Sequence, residues 1–210
     1  MQTRYPTQST SEEYVTGKLW RYARLTSCPW HPQGGCGLRR HGTYPRVSPP
    51  GARIARWYCP RERRTVSALP DCLAAHRTGT LAQCEVTVRA VEQARSLAAA
   101  ADVLRTDIEL PGALRYLSRL RAAIHGALKI IRGLEPTRFL HTEPTLTGFA
   151  AVLDTEQVLM TLREQIRDFL PQLPAPLGFN PRRNCPAQRL KVRQQRAGRD
   201  PPGVFVDPAR

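Results

Sequence analysis

The chain has 210 residues, and 32 Lys and Arg against 17 Asp and Glu give it a formal net charge of +15. That length has room for one medium domain or two small ones with tails, and the cationic excess, nearly all arginine, points to a polyanionic partner, nucleic acid before an anionic membrane surface. No run approaches the roughly 18 apolar residues of a membrane span, and the N-terminal segment lacks the apolar centre of a secretion signal, so a cytoplasmic protein with no membrane partner is expected.

In that compartment thiols stay reduced. The cysteines at 28, 36, 59, 72, 84 and 185 therefore read as metal ligands, core residues or bystanders rather than as a disulfide frame.

Residues 1–22 are polar and read as a flexible or weakly helical lead, with "STSEEY" as a short helix start. Residues 23–78 concentrate Cys, His, Pro, Gly and Arg. Between their turn signals lie two strand-like runs, "RIARWYC" (53–59) and "TVSAL" (65–69).

From Gly79 the pattern turns helical, with Leu81, Cys84, Val88 and Val91 recurring at three and four residues. Ser96 is placed to cap a short helix, "LAAAADVLR", whose alanines let a neighbour approach closely. After the connection "TDIEL", Pro111 suits the first turn of a longer helix that carries Leu114, Leu117, Leu120, Ile124, Leu128 and Ile131 on one side. Gly133 and Pro136 end it. A further helix is expected over 154–170, started by Asp154 with Gln157 and striped by Leu159, Leu162, Ile166 and Phe169. A helical domain is thus expected over 79–171, and the Pro- and Arg-rich residues 172–210 read as a disordered basic tail.

The stretch "CPWHPQGGCGLRRHGTYPR" (28–46) is too poor in large apolar side chains to fold by burial alone. Small units of that kind usually need a metal or a disulfide. Structural zinc takes four Cys or His ligands in a tetrahedron, and Cys28, His31, Cys36 and Cys59 supply such a set, with C-x2-H spacing in the first pair. Three cysteines are one short of a full thiolate site, so the fourth ligand stays open among His31, His41, Glu62 and Cys72.

The run from Cys28 to Leu73 resembles the zinc-ribbon segment found beside transposase-type helix-turn-helix domains of bacterial insertion elements. The resemblance is carried by Cys28, Pro29, Arg40, His41, Gly42, Tyr44, Tyr58, Cys59, Pro60, Arg64, Thr65, Ser67, Pro70 and Asp71. It covers about residues 25–80 and weakens through the helices that follow. The sequence departs from the family pattern at Glu62, where the second ribbon cysteine belongs, and at Val66, where Phe is usual. The resemblance implies a DNA-recognition module of a mobile element.

A supporting helix, a short alanine-rich helix, a turn and a longer helix follow one another in the order of a helix-turn-helix unit. On the last of these, Arg115 and Arg119 lie one turn apart, as do Arg121 and His125, away from the Leu/Ile stripe. Arginines there are placed to contact guanine edges or phosphates of double-stranded DNA. Residues 37–64 carry eight arginines against Glu62 alone, among them Arg39, Arg40, Arg53 and Arg56, with Tyr44, Trp57 and Tyr58 interleaved.

No phosphate loop of Walker spacing is present, and Asp102, Asp107 and Glu109 read as caps and solvent groups rather than as converging metal-binding carboxylates. The expected architecture is therefore α+β and mainly α. A zinc-ribbon-like unit (23–78) with one structural zinc precedes a helix-turn-helix-like domain (79–171), in a DNA-binding protein that is not an enzyme. A second reading is a helical interaction module that forms a homodimer through Leu114, Leu117, Leu120 and Ile124 with Leu159, Leu162 and Ile166.

Overall fold

A computed structural model describes residues 1–104 and 110–180. The chain is α+β: a small four-stranded sheet near the N-terminus is followed by helices. The strands are β1 (Gln2–Tyr5), β2 (Arg39–Pro45), β3 (Arg53–Cys59) and β4 (Arg64–Pro70), in the order β1-β4-β3-β2. β2, β3 and β4 form an antiparallel meander, whereas β1 adds to β4 in parallel, with Gln2 opposite Ser67 and Tyr5 opposite Pro70. β3 spans the run expected from its β-branched and aromatic residues. β2 was not expected, because its "RRHGTYP" has little apolar content and Gly42, at φ +85°, sits in a register shift between Arg40 and Thr43.

The N-terminal 22 residues are not a loose lead. Besides β1 they form α1 (Ser11–Thr16), started by a Thr10–Glu13 capping box. They also bury Tyr14 and Trp20 against the sheet, and the Tyr14 hydroxyl donates to the carbonyl of Arg53 at 2.8 Å. A polar composition hid this, because two large aromatics are enough to anchor such a segment.

Helices α2 (Leu81–Gln93), α3 (Leu97–Leu104) and α4 (Leu110–Leu134) follow in the expected order, and the Ser96 hydroxyl accepts from the Ala99 N–H at 3.1 Å. Ala100 and Ala101 of α3 pack on Ala113 and Leu117 of α4 and on Val91 of α2, the close approach that small side chains permit. Most of the "TDIEL" connection lies outside the described residues.

Beyond α4 come α5 (Pro136–Phe139), α6 (Leu146–Leu153) and α7 (Val158–Gln165). The single helix expected over 154–170 is corrected here. Asp154, at φ +50°, ends α6 rather than starting α7, and α7 stops before a short 3-10 turn, Arg167–Phe169.

Carboxylates on α2 cap two helix starts: that of α7, which has no side-chain cap of its own, and that of α6, where the Thr145 hydroxyl also accepts from the Gly148 N–H at 3.0 Å. Glu85 accepts from the Val158 and Leu159 N–H groups at 2.9 and 3.0 Å, at the start of α7. Two turns along, Glu92 accepts from the Leu146 and Thr147 N–H groups at the start of α6.

One core crosses the boundary expected at residues 78 and 79. It joins Tyr14, Trp20, Ile54, Val66 and Leu69 from the sheet side to Leu81, Val88, Leu120, Ile124, Leu159 and Leu162 from the helices. It also takes in Leu173, Leu177 and Phe179, so the first residues of the expected tail are part of the fold; residues 181–210 lie outside the described residues. Arg163 on α7 is fully buried and donates to the carbonyls of Asp71, Leu73, Pro176 and Leu177 at 2.7–3.1 Å, tying that segment to the chain after β4.

The same core removes the surface expected for a helical dimer. Leu117, Leu120, Ile124, Leu159, Leu162 and Ile166 are all buried within the chain, and only Leu114 of that stripe is partly accessible. No described helix is long and apolar enough to cross a membrane.

Candidate metal centre and basic surfaces

The sequence between the 3-10 turn Leu19–Arg21 and β2 has almost nothing to bury, and it folds around its cysteines. The His31 N–H donates to the Cys28 carbonyl at 3.0 Å and the Gly34 N–H to that of His31 at 2.9 Å, which curls the chain between the first two donors. Gly34, Gly35 and Gly37 then take positive φ values (86°, 75° and 67°), a reversal that brings Cys36 back beside Cys28. Cys59 arrives from the end of β3, at the mouth of the β3–β4 hairpin, and the Glu62 N–H of that hairpin lies 3.5 Å from its sulfur.

Cys28, His31, Cys36 and Cys59 thus meet, with all donor atoms within 4.8 Å of one another. The three sulfurs are buried, and Trp30 and Leu38 pack over them. The Nδ1 of His31 is 3.5 Å from the Cys28 sulfur and 3.6 Å from that of Cys59. Tetrahedral coordination with ordinary metal–sulfur and metal–nitrogen bond lengths separates such atoms by about 3.6 Å. The donor set is therefore compatible with a metal site by chemistry and by spacing. Burial pushes the Cys28 thiol up, but hydrogen bonds from His31 and from the Trp30 and His31 backbone outweigh it and hold the thiol down to about 7, which favours the ligating thiolate. Burial and the neighbouring Cys28 thiol push Cys36 up instead.

The rival ligands have other places. His41 is exposed on β2 with its ring 5.7 Å from that of Tyr58. Cys72 lies in the main core, where burial lifts its thiol to about 11. Glu62 faces the far side of His31, its carboxylate oxygen 3.7 Å from Nε2. That is an ion-pair distance rather than a hydrogen bond, and it lies on the side of the ring away from the sulfurs, so Nδ1 is left free for a metal.

The arginines divide by strand alternation. The register puts Arg39, Arg56 and Tyr58 on one sheet face with Tyr44, and there Arg39 stacks over Tyr58 and Arg56 over Tyr44 at 5.8 and 5.5 Å. Arg40 turns to the opposite face, sits over Trp57 and donates to the carbonyls of Trp20, Arg21 and Ala23, so its guanidinium is spent on holding the N-terminal segment. Arg53 is exposed at the strand end and donates to the Thr43 hydroxyl at 2.9 Å.

On α4, Arg115 and Arg119 are exposed and line a groove of about 430 Å³ with Gly112, Tyr116 and Arg77, the last from the loop before α2. Arg77 was not singled out in the sequence, where nothing links that loop to a helix more than thirty residues on. Arg121 is half-buried and, six residues from Arg115, is rotated about 120° off that face. Its neighbour His125 is engaged by Glu92 at 2.8 Å. No protein-family model, curated protein or solved structure matches this chain.

Proposed function

We propose that the chain is a non-catalytic protein that binds double-stranded DNA, with one zinc ion holding the Cys28–His31–Cys36–Cys59 loop as a structural element. The observation that carries this reading is the pair Arg115 and Arg119, exposed one turn apart on α4 where they line a groove. A net charge of +15 and the arginine-bearing sheet face agree with it. Three thiols and one imidazole favour zinc over harder cations, and a closed set of four protein donors suits a structural site. The resemblance to the DNA-recognition part of insertion-element transposases suggests a cytoplasmic role in binding element ends or regulating a neighbouring gene.

The test is binding of the zinc-loaded protein to a short duplex across a salt series, with and without chelator. Contacts to phosphates give an affinity whose logarithm falls by about 0.9 per phosphate neutralised for each tenfold rise in salt. Affinity independent of salt, or no binding at all, overturns the reading.

A further inference from the structure

A second groove, of about 910 Å³, lies beside the cysteine cluster. Its walls are Gln2 and Thr3 of β1, Pro29 and Trp30 of the cysteine loop, Arg63–Thr65 of the β3–β4 hairpin, and His76. Phe179, buried in the core, backs it. The side chains of Arg63 and Arg64 are exposed, and neither guanidinium makes a hydrogen bond or ion pair with another described residue; Arg63 is held only through its backbone N–H, which donates to the Pro60 carbonyl at 3.3 Å. Among the described residues, no carboxylate lines it. Trp30 is half-buried: it packs on Cys28, Cys36 and Cys59 and on the edge of the main core, and the part left accessible lines the groove.

We propose that this groove takes an unpaired nucleotide of a DNA strand, its base against Trp30 and its phosphate on Arg63 and Arg64. A flat π-surface beside two cations is the combination that binds single-stranded nucleic acid, where the base stacks and the backbone is neutralised. The volume lies in the range of ordinary ligand sites. The inference rests on the DNA-binding reading but uses a different surface from the groove of Arg77, Arg115 and Arg119. Both of its chemical elements hang on the metal loop and hairpin. Trp30 lies between the donors Cys28 and His31, and Arg63 and Arg64 follow Cys59 across the hairpin. Metal binding at the cluster therefore sets the spacing between ring and cations, which gives that site a part in recognition beyond stabilising a loop.

The experiment compares the metal-loaded full chain on a blunt duplex, the same duplex with a three-nucleotide overhang, a short single strand and a free mononucleotide, read by tryptophan fluorescence and by competition. Trp20 and Trp57 are buried, so quenching reports on Trp30. The overhang is expected to raise affinity about tenfold over the blunt end, as stacking one base does. Trp30→Leu and Arg64→Gln are each expected to remove that advantage, and Arg64→Gln, which lies outside the cysteine cluster, to do so with metal content and blunt-duplex affinity unchanged. Equal affinity for overhang and blunt end overturns the proposal and leaves the DNA-binding reading standing. Single-strand binding that depends on Trp30 without any duplex binding supports the groove and sinks the duplex reading. A free mononucleotide that binds as tightly as the strand overturns the assignment to DNA.

Discussion

The imidazole of His31 stands between two kinds of partner: its Nδ1 faces the Cys28 and Cys59 sulfurs at 3.5 and 3.6 Å, and its Nε2 faces the Glu62 carboxylate at 3.7 Å. Glu62 thus lies behind the ring, on the side away from the sulfurs. Replacing Glu62 by Gln is expected to weaken metal binding about 10- to 100-fold, the usual effect of losing such an outer partner, without changing the helical signal. A competition titration with a metal indicator checks it; unchanged affinity would mean that Glu62 is a solvated side chain.

Cys59→Ser is expected to abolish stable metal binding and to loosen the 28–36 loop, while the sheet and the helices, which share one core, stay folded. Cys59 closes the cluster from the sheet, so its loss frees the 28–36 loop from β3. Metal analysis with hydrogen exchange reads both effects, and full metal content in the variant would refute the donor set.

Among the arginines, Arg115→Ala with Arg119→Ala is expected to weaken duplex binding and to reduce the salt slope by about 2. Arg40→Ala should do the reverse, lowering stability by about 1–2 kcal/mol through lost bonds to the carbonyls of Trp20, Arg21 and Ala23 with the salt slope intact. If Arg40 instead controls the slope, the interface lies on the other sheet face.

Arg163→Met is expected to cost at least about 3 kcal/mol, because several buried carbonyls lose their donor together. Arg163→Lys should not restore stability, since an ammonium cannot span the same fork of acceptors. Urea unfolding of both variants provides the check, and a near-wild-type midpoint in either would contradict this role.

Glu92 gives a pH-dependent prediction. Burial pushes its carboxyl up, but the His125 side chain and the Leu146 and Thr147 N–H groups outweigh burial and hold it below the ordinary value. A carboxylate with a depressed folded-state pKa contributes stability above its unfolded value of about 4.3, and that contribution disappears as pH falls through the lower folded value. Glu92→Gln is therefore expected to cost about 1–2 kcal/mol at pH 7, with the gap from wild type closing below pH 4. A gap independent of pH would assign the effect to packing.

The division of labour between sequence and tertiary structure follows the range of the forces involved. Periodicity, caps and charge are local, so the sequence by itself determined α2, α3, α4 and β3, the arginine excess, and the small set of donor residues that a metal can use. Pairings across long stretches of chain are not local. Only the tertiary structure placed β1 beside β4, divided the Leu/Ile stripe of α4 between the main core and the smaller cluster with α2 and α3, and used Glu85 and Glu92 of α2 to start helices more than fifty residues away. The same holds at the site: spacing left His31, His41, Glu62 and Cys72 open, and the return of Cys59 on a paired strand chose His31 as a donor, with Glu62 behind it. Strand alternation likewise separated Arg39 from Arg40, adjacent in sequence and on opposite sheet faces, because the backbone pleat decides which guanidinium faces solvent and which is drawn onto carbonyls.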